Sequence, residues 1–184
     1  MPLTLIKEDG TGKVDANAYA DLADGNAYHD GHLYASAWTA ATDSQKTIAL
    51  VMATRLIDAE MQFNGSRANV SQALQWPREL CPDPDNVSVP LSVLVPMPSG
   101  YVPYNTVPKV VVQATCELAR ELLIADRTLA PPGEGLKYFN NAAVQSGYDK
   151  SDTPAVLSRV ALVMVAKYGS QIRAKSGVVK LIRT

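Results

Sequence analysis

Apolar side chains recur at helical spacing in several stretches of the chain, separated by glycine, proline and asparagine breaks. The clearest runs from Thr42 to Glu60 or Met61, with Ile48, Val51, Met52, Leu56 and Ala59 near one face. Thr42 and Gln45 open it as a capping box, the hydroxyl accepting from first-turn amides while the glutamine reaches back; Asn64-Gly65 ends it. A shorter helix is expected from Asp21 to about His29, stopped by Gly31. Pro108 suits a first helical turn, where its missing amide costs nothing. The helix that follows, to Ala125, turns Val111, Ala114, Leu118 and Leu122 inward and carries a polar stripe of Lys109, Gln113, Glu117, Arg120 and Glu121. Thr153-Pro154 repeats the start signal for a last helix reaching Tyr168, with Leu157, Val160, Ala161, Met164 and Tyr168 as its stripe. Val156, Leu162, Val163 and Val165 spread apolarity around that helix, which a central or intersubunit position would accommodate.

Between the helices the pattern changes. Residues 1–17 read as an extended arm, with Leu3 and Leu5 alternating ahead of a flexible turn at Asp9-Gly10-Thr11-Gly12. A helical turn is expected over Gln72–Trp76, stopped by Pro77. Cys81 to Val107 is a long loop with six prolines between Pro82 and Pro103, and Val87–Val89 and Leu91–Val95 alternate as edge strands would. Residues 135–150, with Tyr138, Val144 and Tyr148, read as an irregular hairpin or projecting arm. The fold class is therefore mainly α: a small helical bundle with a long Pro-rich loop, a β-hairpin-like arm and an extended C-terminal tail. The domain spans 1–169 and the tail 170–184.

That tail alters the picture most. Residues 167–184 carry five basic side chains and no acid, with Val178, Val179, Leu181 and Ile182 as a strand-prone apolar run. A free end frays unless tied down, so such a run points to cover by another chain, or to a last strand within the domain. Residues 1–32 are the opposite: Glu8, Asp9, Asp15, Asp21, Asp24 and Asp30 stand against Lys7 and Lys13.

Composition fits an ordinary folded chain of 184 residues, 47% apolar and 19% charged. Net charge is −1, so no global basic excess drives nucleic-acid binding. Cys81 and Cys116 have no metal or redox spacing, which implies free thiols in a reducing cytoplasm. No signal pattern is present, and the longest apolar run, Val160 to Ala166, is far short of the roughly 20 residues a membrane span needs. A soluble protein made in the cytoplasm, without membrane attachment, is expected.

Candidate chemistry is thin. Asp9-Gly10-Thr11-Gly12-Lys13 has glycines and a lysine, but lacks the spacer and the hydroxyl residue of a phosphate loop. His29 and His32 flank Asp30 and Gly31; without further ligands they read as surface histidines. Asp83, Asp85 and Asn86 lack the glycine turn and distal glutamate of a calcium loop. No catalytic residue, metal ligand or cofactor is assigned. A hydrolase using the two histidines is the remaining enzymatic alternative.

Asp15-Ala-Asn17-Ala-Tyr19, Ala27-Tyr28-His29, Trp38 and the block Gln72-Ala-Leu-Gln-Trp76-Pro77-Arg78 follow one another in an order that resembles tailed-phage head-to-tail adaptor (connector) proteins. These are often labelled DnaT-like single-stranded-DNA-binding proteins. Trp76-Pro77-Arg78 reads locally as a corner that stabilises the fold, its arginine capping carbonyls or pairing with an acid. The loop from Cys81 to Val107 is longer than the pattern. The resemblance implies a helical bundle forming a ring, usually of twelve copies, beneath the portal in the virion neck, assembled in the host cytoplasm. The ring would extend the channel for double-stranded DNA, with a neutral or acidic lumen, and meet a downstream tail or stopper component. The C-terminal residues Ile172, Arg173, Lys175, Val178, Val179, Lys180, Leu181, Ile182 and Arg183 would bind the portal, and Val156, Leu162, Val163, Val165 and Tyr148 would face neighbouring subunits. The alternative is single-stranded-DNA binding, which calls for aromatics in a basic groove; aromatics are 7% of the chain and do not interleave with Lys or Arg.

Overall fold

The computed structural model describes residues 3–85, 100–129, 138–141, 144–147 and 155–172. The expected strands at 87–95, Asn86, Thr153-Pro154, Tyr148 and residues 173–184 lie outside these. The fold is mainly α, with five α-helices among the described residues and only short paired strands.

The first helix, α1 (Leu22–Asp30), begins with a reciprocal cap: the Asp21 carboxylate accepts from the Asp24 amide and the Asp24 carboxylate from that of Asp21. A short helix absent from the sequence reading, α2 (Ser36–Ala40), follows and buries Trp38. Gly25 makes room for that ring, since a Cβ there would stand 2.4 Å from it. Helix α3 (Asp43–Glu60) starts on the expected Thr42–Gln45 capping box. Its buried face is Ala49, Leu50, Val51, Ala53, Thr54 and Ile57, whereas Ile48 is exposed. The expected stripe was therefore rotated: apolar residues lie on both sides of this helix, and packing chose the one carrying the small residues Ala49 and Ala53.

Strand β1 (Met61–Phe63) continues directly from α3, and β2 (Ser66–Arg67) pairs antiparallel with β3 (Arg78–Glu79). The segment Gln72–Trp76 is not helical but a series of bends leading to a cis Trp76–Pro77 bond. Helix α4 (Lys109–Leu122) begins at Pro108, as expected, and packs against α1, α2, α3 and α5. It is the central helix, and its centrality explains why Glu117, expected on the polar stripe, is buried. Strands β4 (Tyr138–Asn141) and β5 (Val144–Gly147) form the antiparallel hairpin expected of the arm.

The last helix, α5 (Arg159–Val165), is shorter than the pattern implied. Ser158 caps it by accepting from the Ala161 amide, and a 3-10 turn (Ala166–Tyr168) completes it. Strand β6 (Gly169–Gln171) then pairs antiparallel with β1, and the Ile172 amide donates to the Glu60 carbonyl at 2.7 Å. The C-terminal segment is thus anchored on the chain's own β1 as far as Ile172.

One core joins these elements. Leu50 and Ile57 of α3, Val111 and Leu118 of α4, and Leu157 and Val165 beside them are fully enclosed, together with Tyr19, Trp38, Met61 and Trp76. Each such side chain contributes about 1.5–3 kcal/mol relative to exposure.

Candidate functional site

The Trp76-Pro77-Arg78 block is an internal corner. Trp76 is wholly buried, its ring edge-on to Phe63 at 5.6 Å and to Tyr168 at 5.7 Å. Edge-to-face pairs add about 0.5–1.5 kcal/mol beyond area burial. Arg78 chooses carbonyls over acids: its guanidinium donates to the carbonyls of Asn64, Gly65, Phe63 and Gln75 and to Gln75 Oε1. These bonds stitch the turn after β1 to the bends before β3. Burial holds the guanidinium below the usual arginine range.

Behind that corner, Tyr19 Oη donates to Asp58 Oδ1 and accepts from the Trp76 amide at 3.2 Å, while Asp58 Oδ2 accepts from the Gln75 amide at 3.0 Å. Burial pushes the Asp58 carboxyl up to about 6 and the Tyr19 phenol well above its ordinary value. Sequence reading missed Asp58. The available signal was its spacing, four residues after Thr54 and eight after Leu50, which places a carboxylate on the buried stripe of α3.

The histidines are not both on the surface. His29 is 3% exposed, and Nε2 lies 3.1 Å from the Cys116 carbonyl, so that nitrogen carries the proton in the neutral ring. Nδ1 is then a buried acceptor without a partner among the described residues, and burial holds His29 below the ordinary histidine value. His32 Nδ1 accepts from the Tyr34 amide, and Nε2 stands 3.6 Å from Glu117. Glu117 is committed mainly to Arg120 at 2.5 Å, with Tyr28 at 3.4 Å. Among the described residues no group of three or more His, Cys, Asp or Glu is arranged to hold a metal. Asp85, from the loop considered for calcium, lies 3.5 Å from Lys167. Cys81 and Cys116 are free and buried, and burial pushes the Cys116 thiol up to about 12. No helix among the described residues is long and apolar enough to cross a membrane.

The Asp9–Lys13 turn is tied by contacts of its own side chains and amides. Lys13 pairs with Asp9 at 2.9 Å, and the turn's amides converge on Glu8.

The residues expected at subunit interfaces divide. Val163 is 62% exposed, and Val160, expected inward, is 53% exposed. Three residues apart, the two share the outward face of α5. Val156 and Leu162 are half-buried, and Leu162 packs against the core. Val165, expected to face a neighbour, is instead fully buried by its own chain. Its position four residues after Ala161 puts it on the stripe facing α4. Ile172, the one described member of the expected portal-binding set, is half exposed at the end of β6.

A family model described as "Putative DnaT-like ssDNA binding protein" matches residues 3–175. No curated protein and no solved structure matches the chain.

Proposed function

The chain belongs to the DnaT-like ssDNA binding protein family, and we propose that it works as a structural head-to-tail adaptor of a tailed bacteriophage. In this reading copies form a ring beneath a portal, extend the DNA channel and join head to tail. The observation that carries it is the outward apolar face of α5, Val160 and Val163, followed by half-exposed Ile172 and a C-terminal segment both basic and apolar. Side chains of this kind, held on a capped helix, suit a neighbour or a portal surface better than water. A ring needs heterologous contacts whose rotation closes. The acid-rich first 32 residues and the basic last 18 offer unlike surfaces for it.

Single-stranded-DNA binding is the second reading, and the family description favours it. Against it, many cations of the described fold are engaged internally: Arg78 with carbonyls, Arg120 with Glu117, Arg127 with Glu121, Lys7 with Asp24 and Lys13 with Asp9. A strand-binding groove requires cations free to meet phosphates.

Electron microscopy of the full chain mixed with its cognate portal tests the first reading. A chain ending at Ile172 keeps the β1–β6 pairing, so it should fold as the full chain does yet fail to attach. Unimpaired attachment would contradict portal docking by the tail. Binding of a single-stranded oligonucleotide by the full chain at low salt, weakening as salt rises, would support the second reading.

A further inference from the structure

Glu8 is a carboxylate 1% exposed; among the described residues no cation makes an ion pair with it, and the Lys13 ammonium acts on it only through space. Its partners are main-chain amides: Oε1 accepts from Gly10 and Gly12, both at 2.9 Å, and Oε2 from Lys13 at 2.8 Å. Amides that converge on one point form a concave anion-binding nest, and N–H bonds to a carboxylate are roughly twice as strong as neutral ones. The backbone builds this geometry with φ of +99° at Gly10 and +74° at Gly12, values that glycine adopts without penalty. Gly10 is also pressed against residue 105, whose carbonyl oxygen would lie 2.1 Å from any Cβ. The Lys13 ammonium bonds to Asp9 and the Lys7 carbonyl, so the hydrogen bonds to the Glu8 carboxylate come from main-chain amides.

Two clefts flank the nest. One, of about 720 Å³, is lined by Lys7, Glu8, Asp9, Tyr28 and Lys109 among others. The other, of about 470 Å³, is lined by Gly10, Thr11, Asn69 and Tyr104 among others. An anion could therefore reach the nest from solvent if Glu8 vacated it.

We propose that the Gly10–Lys13 turn is a carboxylate-binding site which the chain closes with its own Glu8. Its ligand class is a small planar anion with two oxygens, since three donors address two acceptor atoms. The likeness to a phosphate loop has this physical basis: the amides are poised for an anion, but the site is filled from within. Glu8 also donates its own amide to the Ala18 carbonyl at 2.9 Å, so the occupied nest fixes the N-terminal segment on the residues that lead into Tyr19.

Chemical rescue of a vacated nest tests this. Glu8→Ala should melt about 5–10 °C below the wild-type chain. Sodium formate should restore a saturable part of that loss, whereas sodium chloride at equal ionic strength should not, and the wild type should not respond to formate specifically. Equal responses of variant and wild type, or none by the variant, would overturn the proposal. Should Glu8→Ala fail to fold, Glu8→Gln decides by amide hydrogen exchange. Glutamine can keep one oxygen for Gly10 and Gly12 but turns an NH₂ toward the Lys13 amide. Exchange at Lys13 should then rise at least about tenfold while Gly10 and Gly12 stay protected. Unchanged protection at Lys13 would overturn the assignment.

Discussion

Tyr19 donates its phenolic hydrogen to Asp58 at 2.5 Å across 39 positions of sequence, and this pair holds the corner at Trp76 in place. The phenol is a relay: it accepts from the Trp76 amide while giving to a carboxylate that also receives the Gln75 amide. The N-terminal segment, α3 and the corner loop meet at this point.

Tyr19→Phe keeps the ring and deletes the relay, stranding the Trp76 amide and one Asp58 oxygen in the interior. A loss of about 2–3 kcal/mol in chemical denaturation is expected. Asp58→Asn should cost less when added to Tyr19→Phe than when made alone, because both act on one circuit. Strict additivity in the double-mutant cycle would show the contact to be idle.

Acidity should act on the same circuit in an unusual direction. The folded-state value of Asp58 is about 6, above the ordinary 3.8, so the folded protein binds its proton more tightly than the unfolded chain. The stability this adds is fully present below about 4 and is lost as pH rises through 6, an amount on the order of 2–3 kcal/mol. Wild type compared with Asp58→Asn should therefore gain relative stability between pH 7 and pH 4.5. A stability difference constant over that range would refute the assignment.

Arg78→Lys is expected to behave as a severe substitution. The guanidinium reaches four main-chain carbonyls and a side-chain oxygen, and an ammonium has neither the fork nor the donors to do so. Leaving several of these carbonyls unpaired should cost about 3 kcal/mol or more, read as a lowered denaturation midpoint with an unchanged slope.

Val163→Glu separates assembly from folding. The side chain is 62% exposed, so the protomer's melting temperature should hold within about 2 °C. Ring formation or portal attachment, followed by sedimentation, should be lost if a neighbour covers this face. Val165→Glu is the contrasting case, placing a charge in the core and abolishing the fold.

Much of the helical framework was legible in the sequence because capping is local chemistry. Thr42 with Gln45, Pro108 ahead of α4 and Gly31 after α1 mark their boundaries within a few residues of where they fall. Which face turns inward is not local. Ile48 and Leu50 are both apolar, and only the packing of other elements against α3, α4 foremost, makes Leu50 part of the core while Ile48 stays exposed. Glu117 and Val165 were misplaced for the same reason: both belong to surfaces created by α4 lying in the middle of the bundle. Glu8 escaped notice because a lone acid in an extended segment carries no pattern; its partners are amides, which every sequence has. The corner at Trp76 was readable as a stabilising element, though not the tyrosine and aspartate behind it, which are far apart in sequence.

The pairing of β6 with β1 has a mechanical side. Strand β1 is the direct continuation of α3, the longest of the described helices, and β6 is the last described element before the basic, apolar end of the chain. If the proposed portal contact held that end, tension would be shared between the three-residue β1–β6 ribbon, which leads into α3, and the backbone running into the 3-10 turn and α5. Asp58 sits one turn from the junction of β1 with α3, so the tether to Tyr19 stands as the next restraint on that route. The end of the chain is therefore braced by two routes, one through the paired strands into α3 and one along the backbone into α5.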